Sequence, residues 1–181
     1  MARPPPHSEK VTTTSSSLNG LPPSAELTSE EFRHVIGHFL SGVTVVTTTL
    51  DGERFGTTAS AVTSLSLEPP MVVLCLNRAS STSRAVLEAG RFALNILNEE
   101  GGALAARFAT KGSDKFDGVE TTLSGTGLPL FPSALAWVEA EVSETLTVGT
   151  HTLFVGRVFR ADAQPGLPLA YFRGRFGEFT P

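Results

Sequence analysis

The sequence predicts a mainly β fold, a mostly antiparallel barrel with a few helices packed on its ends and sides. Three observations carry this. Roughly six to eight β-branched or alternating runs stand against about three helical ones. Hairpin signals such as Asp51-Gly52 and Gly149 join neighbouring runs. The regular strand–helix alternation of a doubly wound sheet is missing.

Residues 1–26 are rich in Pro, Ser and Thr, with Pro4-Pro5-Pro6 and Ser15-Ser16-Ser17. They hold too few large apolar groups to offset the entropy of ordering, so a flexible tail is expected before a single domain spanning 27–181. At Thr28 and Glu31 a capping box opens a helix, with Leu27 and Phe32 as its hydrophobic staple. Phe32, Val35, Ile36, Phe39 and Leu40 then share one helical face, and Gly42 is the expected stop.

The period now changes. Val43–Thr49 is β-branched throughout and reads as a strand. Asp51-Gly52 turns the chain into a second long strand, Phe55–Leu67, which bends midway and is broken by Pro69-Pro70. Met71–Leu76 is apolar at every position and predicts a strand buried on both faces. A short helix from Ser80 to Glu88 follows, capped by Ser80 or Ser81, then a strand over Phe92–Leu97. Asn98 is the expected cap of a helix running to Phe108, and 109–118 a loop. Val119–Leu123 is a short strand. Ala134–Thr147 and Thr152–Ala161 form a long antiparallel pair, and Leu169–Phe172 closes the set.

Composition narrows the function. The chain has 181 residues, a formal net charge of −4 and a pI near 5.6, which argues against a general nucleic-acid binder. No apolar run approaches the roughly 18–20 residues that span a bilayer, and the first residues lack the apolar stretch of a secretory signal. The single cysteine, Cys75, permits no intrachain disulfide and fits a reducing, cytoplasmic setting. Cysteine-based zinc and iron–sulfur sites are excluded as well. His34 and His38 have metal-chelating spacing, but they lie opposite the apolar stripe with no third ligand, so no metal is expected.

Phosphate-binding glycine loops and nucleophile elbows are absent. Three other stretches stand out. Gly56–Ser64 (GTTASAVTS) places small hydroxyl side chains in a strand. It suits either a wall that lets a flat ligand approach the backbone or a polar-faced strand rich in threonine. Asn77–Arg84 (NRASSTSR) opens a helix after an apolar strand. It reads either as a phosphate cradle or as an over-determined N-cap. His151 follows Gly149-Thr150 at a strand entrance, as a surface hairpin residue or an acid–base group. Cys75 reads as a structural thiol or a reactive one.

Taken in order, these stretches resemble the short-chain flavin reductase family, the reductase components of two-component flavin-dependent monooxygenases. The matching residues are Gly42–Thr47, Gly56–Ser66, Pro69-Pro70, Asn77-Arg78 with Ser80, Phe92–Leu97, Asp114-Lys115-Phe116, His151–Val158 and Pro168–Gly174. The resemblance implies an FMN-binding split barrel, a homodimer and a separate oxygenase partner. It implies reduction of FMN or FAD by NADH, with NADPH the alternative donor.

It also implies site residues. Thr57, Thr58, Ala59, Ser60 and Ala61, with Cys75, Leu76 and Asn77, hold the isoalloxazine edge. Arg78, Ser80, Ser81 and Ser83 fall at the flavin phosphate. Phe108, Ala109, Lys115 and Phe116 fall on the loop beside the flavin. His151 matches the histidine near the nicotinamide, and Phe172, Arg173 and Phe176 the pocket rim. One position departs: Thr150 stands where the family often has Asp, which bears on how His151 is oriented. Two further readings keep the fold: a tightly held flavin or deazaflavin cofactor, or a non-catalytic flavin carrier or accessory subunit.

Overall fold

The computed structural model describes residues 27–112 and 114–180. The expected N-terminal tail lies outside the described residues. The order is α1 (Ser29–Ile36), β1 (Ser41–Gly42), β2 (Thr44–Leu50), β3 (Glu53–Ala59), β4 (Val62–Leu67), β5 (Pro70–Asn77), α2 (Ser81–Ala89) and β6 (Arg91–Leu97). Then come α3 (Gly102–Ala109), a 3-10 turn (Asp114–Phe116), β7 (Thr122–Leu123), β8 (Pro129–Leu130), β9 (Ala134–Val148), β10 (His151–Ala163), β11 (Leu169–Phe172) and β12 (Arg175–Glu178).

One antiparallel sheet of seven strands dominates, in the order β3-β2-β6-β9-β10-β5-β4. Its outermost strands, β3 and β4, are consecutive in sequence and joined by Ser60 and Ala61 alone. A flat sheet of this width would put them about 29 Å apart. The chain from Ala59 to Val62 reaches at most roughly 11 Å. The sheet therefore curls until its two edges meet at Ser60-Ala61, where no ladder joins them. This is a barrel with a split.

Strand β2 shows how the core forms. Val45 and Val46 point to opposite faces, as period-two geometry requires. Val45 joins Leu97, Ala105, Phe108, Phe116 and Phe131 outside the barrel. Val46 joins Leu74, Leu76, Val86, Phe92, Leu94 and Phe154 inside it. The buried hydroxyls of β2 find carbonyl acceptors: Thr44 donates to Ala59 (2.7 Å), Thr47 to Pro129 (2.6 Å) and Thr48 to Arg91 (2.8 Å). Buried Asn95 accepts from the Phe131 amide at 2.9 Å and donates to the Val45 carbonyl at 3.2 Å, pinning the β8 segment to the sheet.

Several expectations need correction. Helix α1 stops at Gly37, not Gly42, because Gly37 caps it and the chain then enters β1. Its capping box forms as expected, but none of its residues is buried. The long strand over 55–67 is two strands broken at Ser60-Ala61. Strand β5 is not buried on both faces: only Leu74 and Leu76 are, while Val73 and Cys75 face a cleft. Asn98 does not cap α3. It forms a lone bridge with Pro168, and Gly101 occupies the cap position.

Candidate functional site

The split in the barrel has a cleft beside it. Ser60, Ala61, Val62 and Thr63 form one wall with Val73 and Cys75 of β5. Helix α1 supplies Glu30, Arg33 and His34, and the β11–β12 turn supplies Tyr171, Arg173 and Gly174. Its volume is about 810 Å³, within the range of small-molecule pockets. The Cys75 amide donates to the Ala61 carbonyl at 3.0 Å, fixing the chain where the strands part. Ser60 and Ala61 are exposed, and their short side chains leave the backbone approachable.

At one end of β5, three elements converge. Asn77 pairs across the ladder with His151 at the start of β10. The Arg78 amide donates to the Thr150 carbonyl at 3.0 Å, tying the β9–β10 turn to the α2 entrance. The Asn77 side chain accepts from the Ala79 amide at 2.9 Å, and its carbonyl accepts from Ser80 at 2.9 Å. Thr150 Oγ1 lies 2.9 Å from His151 Nδ1, so a hydroxyl serves here as the ring's polar partner. His151 itself is exposed.

The α2 terminus separates the two readings of Asn77–Arg84. Thr28 caps α1 with its side chain, yet Ser80, at the same position of α2, makes no capping hydrogen bond. An over-determined cap is therefore not what forms. The first-turn amides keep donors to spare, which fits an anionic group. Beside this terminus lies a smaller recess of about 280 Å³, lined by Arg54, Gly56, Ser81, Gly112, Lys115 and Phe116 among others. Lys115 Nζ donates to the carbonyls of Gly56 and Phe108, each at 3.2 Å, and burial pushes its pKa below the ordinary lysine value. The Arg54 guanidinium sits 4.9 Å from the Phe116 ring centre.

The remaining sequence-derived residues divide. Thr57, Thr58 and Ala59 run along β3 into the split, with Thr58 Oγ1 spent on the Ala105 carbonyl at 2.6 Å. Leu76 and Phe108 are core side chains, and Phe108 packs edge-on to Phe116 with ring centres 4.9 Å apart. Ser83 is buried in the first turns of α2, and Ala109 is exposed at the end of α3. Arg173 lines both the main cleft and a second recess, where Phe172 and Phe176 lie with Leu40 and Arg175. Glu30, Arg33, His34 and Tyr171 were not expected at the cleft. The capping box gives α1 from sequence, but not the wall it faces.

Among the described residues, no group of three or more His, Cys, Asp or Glu side chains is placed to hold a metal. None of their helices is long and apolar enough to cross a membrane.

Comparison with known proteins supports the same fold and family. The model of the flavin reductase like domain matches residues 36–180. The reductase component of 4-nitrophenol 4-monooxygenase/4-nitrocatechol 2-monooxygenase from Rhodococcus opacus is 48% identical over 155 residues, 86% of this chain and 83% of that protein. An FMN reductase (NADH) from Agrobacterium fabrum is 37% identical over 152 residues, 84% of this chain and 87% of its own. The Streptomyces globisporus NADH:FAD oxidoreductase, solved with NAD and FAD fragments, superposes with a TM-score of 0.80 at 34% identity, covering 84% of this chain and 93% of that one. The split barrel, the ordered motifs along it and these matches lead to one conclusion: this chain belongs to the flavin reductase like domain family.

Proposed function

We propose that this chain is an NAD(P)H-dependent flavin reductase that supplies reduced FMN or FAD to a separate monooxygenase. One observation carries the reading: the small-residue break at Ser60-Ala61, the uncommitted α2 terminus and His151 all flank the same end of one barrel. Flavin and NADH also fit the chemistry of the residues present. Ser60 and Ala61 leave room for a flat ring against backbone, and Ser80, Ser81 and Lys115 supply donors to an anionic tail.

Hydride transfer from nicotinamide C4 to flavin N5 belongs to the bound cofactors. The chain's own residues bind, orient and exclude water. That division explains why no triad or carboxylate pair is needed. His151, oriented through Thr150, is assigned to the nicotinamide side. The Thr57–Ala61 backbone, with Cys75 and Asn77, is assigned to the flavin edge.

A homodimer belongs to the same proposal, supported by the uncovered apolar face of α1. The oxygenase partner follows the naming of relatives such as the Rhodococcus opacus reductase component. A cytoplasmic setting is supported by the free thiol of Cys75.

The test is nicotinamide oxidation with FMN and FAD titrated separately, using NADH and then NADPH. Saturable, flavin-dependent turnover is expected. Ser60→Tyr should raise the flavin KM, and His151→Ala the nicotinamide KM, each roughly tenfold, the scale of one charge-assisted or well-placed polar contact. Unchanged constants in both variants would remove these site assignments. Flavin that stays bound through gel filtration would point to a fixed cofactor.

A further inference from the structure

We infer that Arg107 is the positioning residue that sets flavin affinity, by holding the 114–117 turn against β3. The inference rests on the assignment of Lys115 and Phe116 to the flavin site. Arg107 lies on the last turn of α3 and is exposed, yet its guanidinium is committed to backbone. Nε donates to the Lys115 carbonyl at 2.7 Å, and Nη2 donates to the carbonyls of Asp114 (3.1 Å) and Asp117. Its own carbonyl accepts from the Thr110 amide at 3.2 Å and from Thr110 Oγ1 at 2.7 Å, so the segment is gripped where it leaves the helix as well.

A planar cation that gathers three carbonyls of one short turn fixes that turn as a unit. The turn itself is a single 3-10 turn of three residues, closed by the Asp117 amide donating to the Asp114 carbonyl at 3.2 Å. What it carries faces the site. Lys115 Nζ bridges from the turn to Gly56 of β3 and Phe108 of α3. Phe116 packs on Phe108 and Phe131. Gly56 immediately precedes Thr57, and Lys115 and Ser81 line one recess. Arg107 does not itself line that recess and reaches it only through the Lys115 carbonyl it holds. Its influence must pass through the backbone it holds.

The experiment compares full-length wild type, R107M, R107K, K115A and the double variant R107M/K115A by steady-state kinetics. R107M should raise the flavin KM about tenfold, as loss of a charge-assisted contact would. Its kcat at saturating flavin should stay within about twofold, because the positioning is restored once flavin is bound. R107K, which keeps the charge but not the fork, should fall between wild type and R107M. The double variant should show the flavin KM of K115A to within about twofold, since both changes break one connection. Trypsin should cut after Lys111 and Lys115 faster in R107M than in wild type.

A flavin KM unmoved in R107M while K115A raises it would overturn the inference. So would multiplied effects in the double variant. A K115A protein with wild-type flavin KM would instead remove the site assignment beneath it. If R107M does not fold by circular dichroism, R107K and R107K/K115A carry the same comparison.

Discussion

Lys115 shows how much a single side chain can depend on what lies around it. Two of its three ammonium N–H bonds go to carbonyls, and partial burial lowers its pKa from the ordinary lysine value. In the proposed site the protonated form is the one that would attract an anionic flavin tail beside Ser81. As pH rises through a pKa below the usual lysine range, that charge is lost and flavin binding weakens. The flavin KM should therefore climb on the alkaline side, at lower pH than an ordinary lysine would give. K115R, whose guanidinium stays charged across this range, should flatten the climb. A KM–pH profile of the two proteins decides it, and parallel profiles would exclude Lys115 as the source. Little of this was legible from sequence. Asp114-Lys115-Phe116 marks the place by resemblance, but the bonds that define it run from side chains to backbone carbonyls. Such bonds leave no periodic pattern. Arg107 is invisible for the same reason.

At the scale of elements, legibility followed local chemistry. The Asp51-Gly52 turn forms as read, with φ of 50° and 82° at its two central residues. Thr28 and Glu31 make their capping box, and the Glu31 carboxylate is held below its usual pKa first by the Thr28 backbone amide and then by its hydroxyl. Strand β8 was missed because two residues are too short for a period to show, and β12, Arg175-Phe176-Gly177-Glu178, because a single large apolar residue makes no alternation. Strand β5 was misjudged because an all-apolar run does not say whether one face looks into a cleft. Gly56 illustrates what only packing reveals. A Cβ there would lie 2.6 Å from the Phe108 ring and 3.1 Å from Phe116. Gly56→Ala should thus force apart the contact of β3 with α3 and the 3-10 turn, costing about 1–3 kcal/mol, the usual range for overpacking. Thermal unfolding should show the loss, and flavin KM should rise with it, since Lys115 bonds the Gly56 carbonyl. A variant as stable as wild type would mean that the Phe108 and Phe116 rings move aside without strain.

The whole molecule raises the question of what covers α1. The barrel itself was foreseeable, because hairpins and motif order agree. Its helix was foreseeable too, but nothing among the described residues buries its apolar stripe. Phe32, Val35, Ile36, Phe39 and Leu40 are all more than half exposed, Phe39 at 76%, and Leu27 precedes them at 63%. So many large apolar groups exposed together on α1 and on the segment just after it exceed what scattered surface residues explain. Periodicity reports that a face is apolar. It cannot report whether the covering surface comes from the same chain. Ile36 and Phe39 also border the main cleft, so whatever covers α1 meets the candidate site. A second copy of the chain satisfies both facts. Light scattering after gel filtration should give about twice the 19.1 kDa of one chain. Phe39→Asp places an uncompensated charge at the most exposed ring of that face. It should shift the protein toward monomer at micromolar concentration while leaving the barrel's far-ultraviolet spectrum in place, since no core residue is touched. Flavin KM should rise with dissociation, because the cleft then loses one of its covers. A wild-type monomer would remove the second copy from the proposal.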